Sequence, residues 1–322
     1  MKKIIKILVC VATSLCLVLM LIKPEVYIKS AFFGIKLWAV TVLPALLPFF
    51  FLTSLLSKLG VTSLIAKIFK KPCGFLFRTG GASAFAFTMS LISGYPVGAK
   101  IIADLYKNGV IDKNEATRAS TFCSTSGPLF IVGSVGIGMF GSKQIGFIIL
   151  FTHIISAFLC GIIFRFYGKN SPKSDRILIP IEKSQNALYD CVYSSVISVA
   201  CVGGFICVFS LFLDAFKNLN LLLPLVNLLS PIFGKDISTA FLYGLIECTN
   251  GCKMLASCSL STYSLAFASA LVSFGGVSIW AQSSVFLAQS KVNLKIFFLS
   301  KTLQAVFSFL LTVAVLLAFP II

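Results

Sequence analysis

Long apolar stretches separated by short basic segments dominate the chain. A helix needs about 20 apolar residues to cross the roughly 30 Å hydrocarbon core of a bilayer. Stretches close to or above this length occur at about 7–22, 30–57, 143–167, 188–216 and 296–319. Basic segments between such stretches are typical of loops that connect membrane-spanning helices. The pattern therefore predicts an all-α polytopic membrane protein.

Two further segments are too short or too polar to be plain spans. Residues 80–106 stay apolar only to Ile92 and then continue as Ser93-Gly94-Tyr95-Pro96-Val97-Gly98-Ala99-Lys100. Residues 237–258 carry Glu247-Cys248-Thr249-Asn250-Gly251-Cys252-Lys253. Irregular backbone at membrane depth is tolerated only where it is buried in protein or lines a cavity. We predict that each segment is a re-entrant hairpin, in which an unwound tip joins two half-helices.

Each predicted hairpin is followed by a span whose sequence interrupts a helix. The first broken span contains Ser124-Thr125-Ser126-Gly127-Pro128. The second occupies residues 262–289, where Gly275-Gly276 precedes Gln282-Ser283-Ser284. Glycine and proline are the residues that most strongly disfavour a continuous helix. We therefore expect unwound backbone in both spans.

The two halves of the chain repeat the same order of elements. Each has a long span, a short amphipathic piece (residues 61–70 in the first half), a hairpin, a broken span and a clean span. An odd number of crossings in each half gives the second copy inverted topology. We expect an N-terminal transmembrane helix, a first repeat, a cytoplasmic linker and a second, inverted repeat, with boundaries at 1–29, 30–168, 169–187 and 188–322.

Composition and charge exclude a soluble enzyme and give an orientation. Hydrophobic residues make up 58% of the 322 residues and charged residues 11%, whereas soluble proteins carry about 25% charged residues. Of the 27 basic residues, 19 fall on one side of the predicted spans, Lys301 among them. Because basic loops stay in the cytoplasm, we predict a cytoplasmic N-terminus, seven full spans and two hairpins. The net charge of +17 then needs no nucleic-acid partner.

Some features of the sequence allow two interpretations, and others indicate no functional site. The basic start and apolar run to Ile22 fit a signal peptide, but the length of the run and the lack of a small-residue cleavage site favour an uncleaved helix. The 11 cysteines form no CxxC pair, so neither a disulfide framework nor a metal site is expected. His153 is interpreted as a packing or hydrogen-bonding residue. We expect no catalytic residues and no cofactor.

Paired interruptions at matching positions predict a transporter substrate site near the membrane midplane. Three ionisable residues at membrane depth, Lys100, Glu247 and Lys253, are functional candidates. With half-helix N-termini after Pro96 and near Gly251, the two lysines would favour an anion. The predicted substrate-binding residues are Ser93, Gly94, Tyr95, Pro96, Gly98, Lys100, Ser124, Thr125, Ser126, Gly127, Glu247, Thr249, Asn250, Gly251, Lys253, Gln282 and Ser283.

Each of these candidates has a plainer interpretation. The glycines would also allow helices to pack closely, and the lysines would also extend along the helix to reach the interface. Glu247 would either balance a lysine or carry a coupling proton, and the sequence leaves both roles open. It also leaves open whether the chain acts alone or as a homo-oligomer.

Three stretches resemble a known family. Ser93-Gly94-Tyr95-Pro96-Val97-Gly98-Ala99-Lys100, Thr125-Ser126-Gly127-Pro128-Leu129-Phe130-Ile131 and Leu43-Pro44-Ala45-Leu46-Leu47-Pro48-Phe49-Phe50 resemble the sporulation integral membrane proteins of endospore-forming bacteria. That family belongs to the nucleoside-recognition, or Gate-domain, group and is similar in architecture to concentrative nucleoside transporters. The resemblance covers about residues 30–320 and implies two Gate-type repeats.

The resemblance implies movement of dipicolinic acid, a small aromatic dianion, into the forespore across the outer forespore membrane. The partners would then be the lipid bilayer and a small anionic substrate. A nucleoside or nucleobase transporter of the same fold is an alternative, as is a non-transporting membrane scaffold of the spore envelope. An intramembrane enzyme is a further class, but no paired Asp or His–Asp set supports it.

Overall fold

A computed structural model of the chain describes residues 13–59, 61–168 and 186–319, and every regular element within them is helical. Residues 169–185 of the predicted linker and the start of the first apolar run lie outside these residues. The helices of the first half are α1 (Thr13–Ile22), α2 (Pro24–Leu37), α3 (Leu43–Lys58), α4 (Val61–Leu76), α5 (Gly81–Ser93), α6 (Val97–Lys107), α7 (Lys113–Ser120) and α8 (Lys143–Ile163). Two π-helical segments, Trp38–Val42 and Leu129–Met139, lie between them.

The second half is helical in the same way. Its helices are α9 (Ala187–Asn218), α10 (Leu223–Phe233), α11 (Lys235–Ile246), α12 (Cys248–Ser257), α13 (Thr262–Phe274), α14 (Gly276–Gln289) and α15 (Leu294–Ala318). The all-α fold predicted from the apolar pattern is confirmed. Helix breaks occur at Gly94-Tyr95-Pro96 and at Gly275, as the sequence predicts. In the second hairpin the break lies at Glu247, so α12 begins at Cys248 and not near Gly251 as expected.

Four helical stretches of the described chain are long and apolar enough to cross a membrane: Lys143–Phe166, Ala187–Asn218, Thr262–Gln289 and Leu294–Ala318. Two bent pairs, at residues 24–56 and 67–93, would raise the number to six. The second pair bends by 103° between α4 and α5, so the chain turns back sharply where the first hairpin begins. The seven spans, their orientation and the inverted repeat stay predictions.

The first broken span contains the unwound backbone that its sequence predicts. Residues 121–127 are non-helical, and they lie between the short polar helix α7 and the apolar π-helical segment Leu129–Met139. Asp112 caps α7 by accepting a hydrogen bond from the Glu115 backbone N–H at 2.7 Å. A strong N-cap before a polar sequence starts a helix early, and Gly127-Pro128 delays the next one.

A ring of buried hydroxyl groups joins α8, α13 and α15. Thr152 Oγ1 lies 2.8 Å from Ser269 Oγ, Ser269 Oγ lies 2.6 Å from Ser308 Oγ, and Thr312 Oγ1 donates to Thr152 Oγ1 at 3.1 Å. Lipid tails give little hydrophobic drive for helices to associate, so small residues and interhelical hydrogen bonds hold such bundles together. This ring therefore fixes a helix of the first half to two helices of the second.

Candidate functional site

The break of the first hairpin is held by close backbone contact with the first broken span. Gly94 has φ +78°, a conformation that glycine adopts without strain. A Cβ built on Gly94 would lie 2.5 Å from the backbone nitrogen of Gly127. The Tyr95–Pro96 peptide bond is cis, and α6 starts immediately after it. The tip of the hairpin and the unwound segment 121–127 therefore meet backbone to backbone.

The second hairpin is interrupted by Glu247, whose carboxylate caps α12. Its two side-chain oxygens accept from the backbone N–H groups of Thr249 at 3.0 Å and Asn250 at 2.7 Å. Glu247 is only 2% exposed, so these bonds satisfy most of the hydrogen-bonding capacity of a buried carboxyl group. A Cβ on Gly276 would lie 3.1 Å from the backbone nitrogen of Cys248. In this half too, the hairpin break packs against the break of the following span.

These breaks enclose a cavity of about 50 Å³, which we call the central cavity. The hairpin breaks contribute Ser93, Gly94, Tyr95, Glu247 and Thr249, and the broken spans contribute Ser126, Gly127, Phe130, Ser278, Ile279 and Gln282. The opposite wall is formed by Val42 and Leu46 and by two α9 residues, Val202 and Ile206. The cavity thus joins polar groups from both halves and faces them with an apolar wall.

Eight predicted site residues line this cavity: Ser93, Gly94, Tyr95, Ser126, Gly127, Glu247, Thr249 and Gln282. The other nine do not: Pro96, Gly98, Lys100, Ser124, Thr125, Asn250, Gly251, Lys253 and Ser283. Ser124 and Ser283 are buried, and their hydroxyl oxygens have no hydrogen-bond partner among the described residues. The Thr125 hydroxyl is hydrogen-bonded within the protein, because it lies 2.8 Å from Ser90 Oγ.

Gly98 and Gly251 pack helices rather than line the central cavity. A Cβ on Gly98 would collide with the backbone carbonyl of Cys123, and one on Gly251 with the backbone of Gly244. These are close approaches of α6 to the unwound segment and of α12 to α11. At both positions the structure favours the plainer interpretation, close packing between helices.

The two candidate lysines lie in separate outer cavities. Lys100 lines a cavity of about 250 Å³, the proximal cavity, with Asp104 and Ser194, Ser195 and Ser198 near the start of α9. Lys253 lines a cavity of about 230 Å³, the distal cavity, with Asp214 and Lys217 near the end of α9. Both lysines are exposed. A single anion site containing both of them, as expected from the sequence, is therefore absent from this structure.

A buried lysine that the sequence reasoning assigned to the cytoplasmic side lies next to the central cavity. Lys301 is 0% exposed, so its assignment to a basic loop is wrong. Its Nζ donates to the backbone carbonyl of Ser124 and, at 2.6 Å, to Gln304 Oε1. It also lies 5.0 Å from the centre of the Tyr95 ring. The Lys301 amino group therefore stabilises the unwound segment 121–127 through its hydrogen bond to the Ser124 carbonyl.

His153 supports the same segment. Its Nε2 accepts from the backbone N–H of Ser126 at 3.0 Å, and its Nδ1 lies 2.8 Å from Ser273 Oγ. The Tyr95 hydroxyl donates to the Ser273 carbonyl at 3.3 Å. The predicted hydrogen-bonding role of His153 is thus found in the structure. His153 therefore connects α8 to α13 and to the unwound segment 121–127. The hairpin tip joins the same group through the bond from Tyr95 to Ser273.

One signal in the sequence would have located Lys301. A polar stripe with helical spacing runs through the last apolar span, at Lys301, Gln304, Ser308 and Thr312. Polar residues three or four positions apart lie on one face of a helix. In a membrane span, a polar face points into protein or a water-filled cavity. All four residues are fully buried.

Known proteins match both the sequence and the fold. A family model named Gate, described as nucleoside recognition, matches residues 39–168. The sporulation integral membrane protein YlbJ of Bacillus subtilis (strain 168) is 30% identical over 316 residues, which cover 88% of this chain and 76% of that protein.

Solved structures of CNTnw share the fold at low sequence identity. A doubly substituted CNTnw in an outward-facing state has a TM-score of 0.56 and 11% identity, covering 88% of this chain and 76% of its own. CNTnw in an inward-facing substrate-bound state has a TM-score of 0.54 and 11% identity, covering 96% and 86%. The chain is therefore an integral membrane protein with the Gate fold of nucleoside transporters, and it belongs to the family of the sporulation integral membrane protein YlbJ.

Proposed function

We propose that this protein transports a small anionic metabolite during sporulation, with dipicolinate entering the forespore across the outer forespore membrane as the candidate reaction. The observation that carries the proposal is the central cavity, where four interrupted segments from both halves meet. Discontinuous helices that surround a site in this way bind substrates in secondary transporters. The sporulation relative supports the physiological setting.

Helix ends around the central cavity favour a negatively charged ligand. The N-termini of α12, α14 and the π-helical segment Leu129–Met139 all begin at residues next to or within its lining. Positive helix ends stabilise anions through the helix dipole and through backbone N–H groups. Glu247 already occupies the end of α12. Neither α14 nor the π-helical segment begins with a side-chain cap.

The serine and amide groups of the lining would bind carboxylate oxygens. Ser126, Ser278 and Gln282 supply hydroxyl and amide donors within the central cavity. Glu247 would disfavour a dianion if it stayed ionised, so transport of dipicolinate would proceed with a proton on Glu247. This is the coupling role that the sequence left open. It predicts that a pH gradient, inside alkaline, drives uptake of the anion together with a proton.

A neutral nucleoside is the second candidate, and the composition of the lining favours it. Among the residues that the structure describes, no lysine or arginine lines the central cavity. A carboxylate, an amide and hydroxyls are groups that bind sugar hydroxyls and the polar edges of bases. The similarity to CNTnw agrees with this alternative. The two candidates differ in net charge, so transport itself separates them.

The test is uptake by purified protein reconstituted into vesicles. Labelled dipicolinate and labelled uridine would be offered separately, with and without a pH gradient. Gln282→Ala should abolish most of the uptake, whereas Gln289→Ala, at the exposed end of the same helix, should retain it. Uptake of uridine alone would favour the alternative. Uptake of neither compound would refute both candidates. A normal dipicolinate content in spores after deletion of the gene would refute the dipicolinate assignment.

A further inference from the structure

The three cavities follow one another along the length of α9. Ser194, Ser195 and Ser198 line the proximal cavity, Val202 and Ile206 line the central cavity, and Ser210, Leu213, Asp214 and Lys217 line the distal cavity. Successive lining positions are mostly three or four residues apart, so each lies close to the one before it, and the row of positions winds gradually around the helix. From residue 194 to 217 the helix rises roughly 35 Å at 1.5 Å per residue. This exceeds the roughly 30 Å of hydrocarbon.

The distal cavity carries two lysines in a lining that is otherwise mixed polar and apolar. It lies between α2, α9 and α12 and is lined by Ser30, Phe33, Ser210, Leu213, Asp214, Lys217, Asn250, Lys253, Met254 and Ser257. Lys217 Nζ lies 3.7 Å from Asp214 Oδ1. Lys253 pairs with no carboxylate within the described residues, and its Nζ lies 4.6 Å from the centre of the Phe33 ring. The lining therefore has one more positive than negative side chain.

A hydrogen bond joins two residues of this lining that adjoin the central cavity along the chain. Asn250 Nδ2 donates to Ser210 Oγ at 2.9 Å, and both residues are buried. Asn250 follows Thr249, which lines the central cavity, and Ser210 lies one helical turn beyond Ile206, which also lines it. The bond therefore ties α12 to α9 between residues that line the two cavities.

We propose that the distal cavity is a second anion-binding site, which takes a small carboxylate at the Lys217 and Lys253 amino groups. The Ser210–Asn250 bond joins two residues of this site that adjoin the central cavity along the chain. An aromatic carboxylate suits the site best, because its ring can lie against Phe33 while Lys253 binds the charge. This inference rests on the proposed function for its substrate, but the excess positive charge is measurable without transport.

The first experiment measures the electrostatic potential in the cavity. Ser257→Cys, in a Cys258→Ser background, places one thiol in the lining. Its rate of modification by anionic sulfonatoethyl methanethiosulfonate is compared with that by the cationic trimethylammonium reagent. Each lysine should raise the anion-to-cation rate ratio roughly fivefold, the effect of a unit charge about 8 Å away in water. Lys217→Gln and Lys253→Gln should each lower the ratio by that factor, and Lys235→Gln, outside the cavity, should not.

The second experiment tests binding with dipicolinate as the probe. In vesicles that take up dipicolinate, Lys217→Gln/Lys253→Gln should raise KM several-fold more than it lowers the maximal rate. An unchanged rate ratio and an unchanged KM would overturn the second site while leaving the proposed function intact. If dipicolinate is not transported at all, the proposed function fails, and the thiol-labelling ratio alone decides whether an anion site exists.

Discussion

Replacing Lys301 by methionine should destabilise the protein far more than any change of a surface lysine. Methionine fills most of the volume of the side chain but cannot donate to the Ser124 carbonyl or to Gln304 Oε1, which lies 2.6 Å from Nζ. Each buried acceptor that loses its donor costs about 1–3 kcal/mol, so the pair gives about 2–6 kcal/mol. We expect the unwound segment 121–127 to loosen first, because Ser124 lies within it.

The assay is thermal unfolding of purified protein in detergent, with Lys295→Met as the matched control. Lys295 lies on the same helix but is exposed, so its loss should change stability little. A second variant, Lys301→Met/Gln304→Leu, removes the donor and one acceptor together and should be less destabilised than the sum of the single changes. Equal melting temperatures for Lys301→Met and Lys295→Met would refute the view that this amino group supports the site.

Three more outcomes follow from single contacts. Gly94→Ala should lower the free energy of unfolding by more than Gly109→Ala, because both have positive φ but only Gly94 approaches another backbone; thermal unfolding of the two would measure the difference, and equal losses would contradict it. Glu247→Gln should abolish proton-driven uptake without a change in helix content by circular dichroism. Lys58→Gln should cost about 0.2–1 kcal/mol, an effect that high salt removes, since Lys58 pairs with Asp190 at 2.7 Å.

The helix breaks were predictable because they depend on local sequence. Gly94, Pro96 and Gly275 disfavour continuous helix wherever they occur, and a short apolar run cannot span a bilayer. Which breaks contact each other could not be predicted from the sequence and is known only from the structure. Gly94 meets Gly127 and Gly276 meets Cys248, and nothing in either segment alone specifies its partner.

The lysines show why positions of charge were harder to predict. Lys100, Lys253 and Lys301 all lie within or beside apolar sequence, yet only Lys301 is buried. The rotation of a helix about its axis decides whether a side chain enters the core, and a rotation of half a turn reverses the answer. Only a stripe of several polar residues, as on α15, indicates that rotation from sequence.

The hydrogen bond between Lys301 and Ser124 has a consequence for biosynthesis. The two residues are 177 positions apart, so at about 5–20 residues per second the lysine is made roughly 10–35 s after its partner. Thr152 is likewise synthesised before its hydrogen-bond partners Ser269 and Thr312. Ser124 and Thr152 are thus made before these partners exist. During that interval they depend on water or on the insertion machinery, and the nascent chain is at its most vulnerable until α15 arrives.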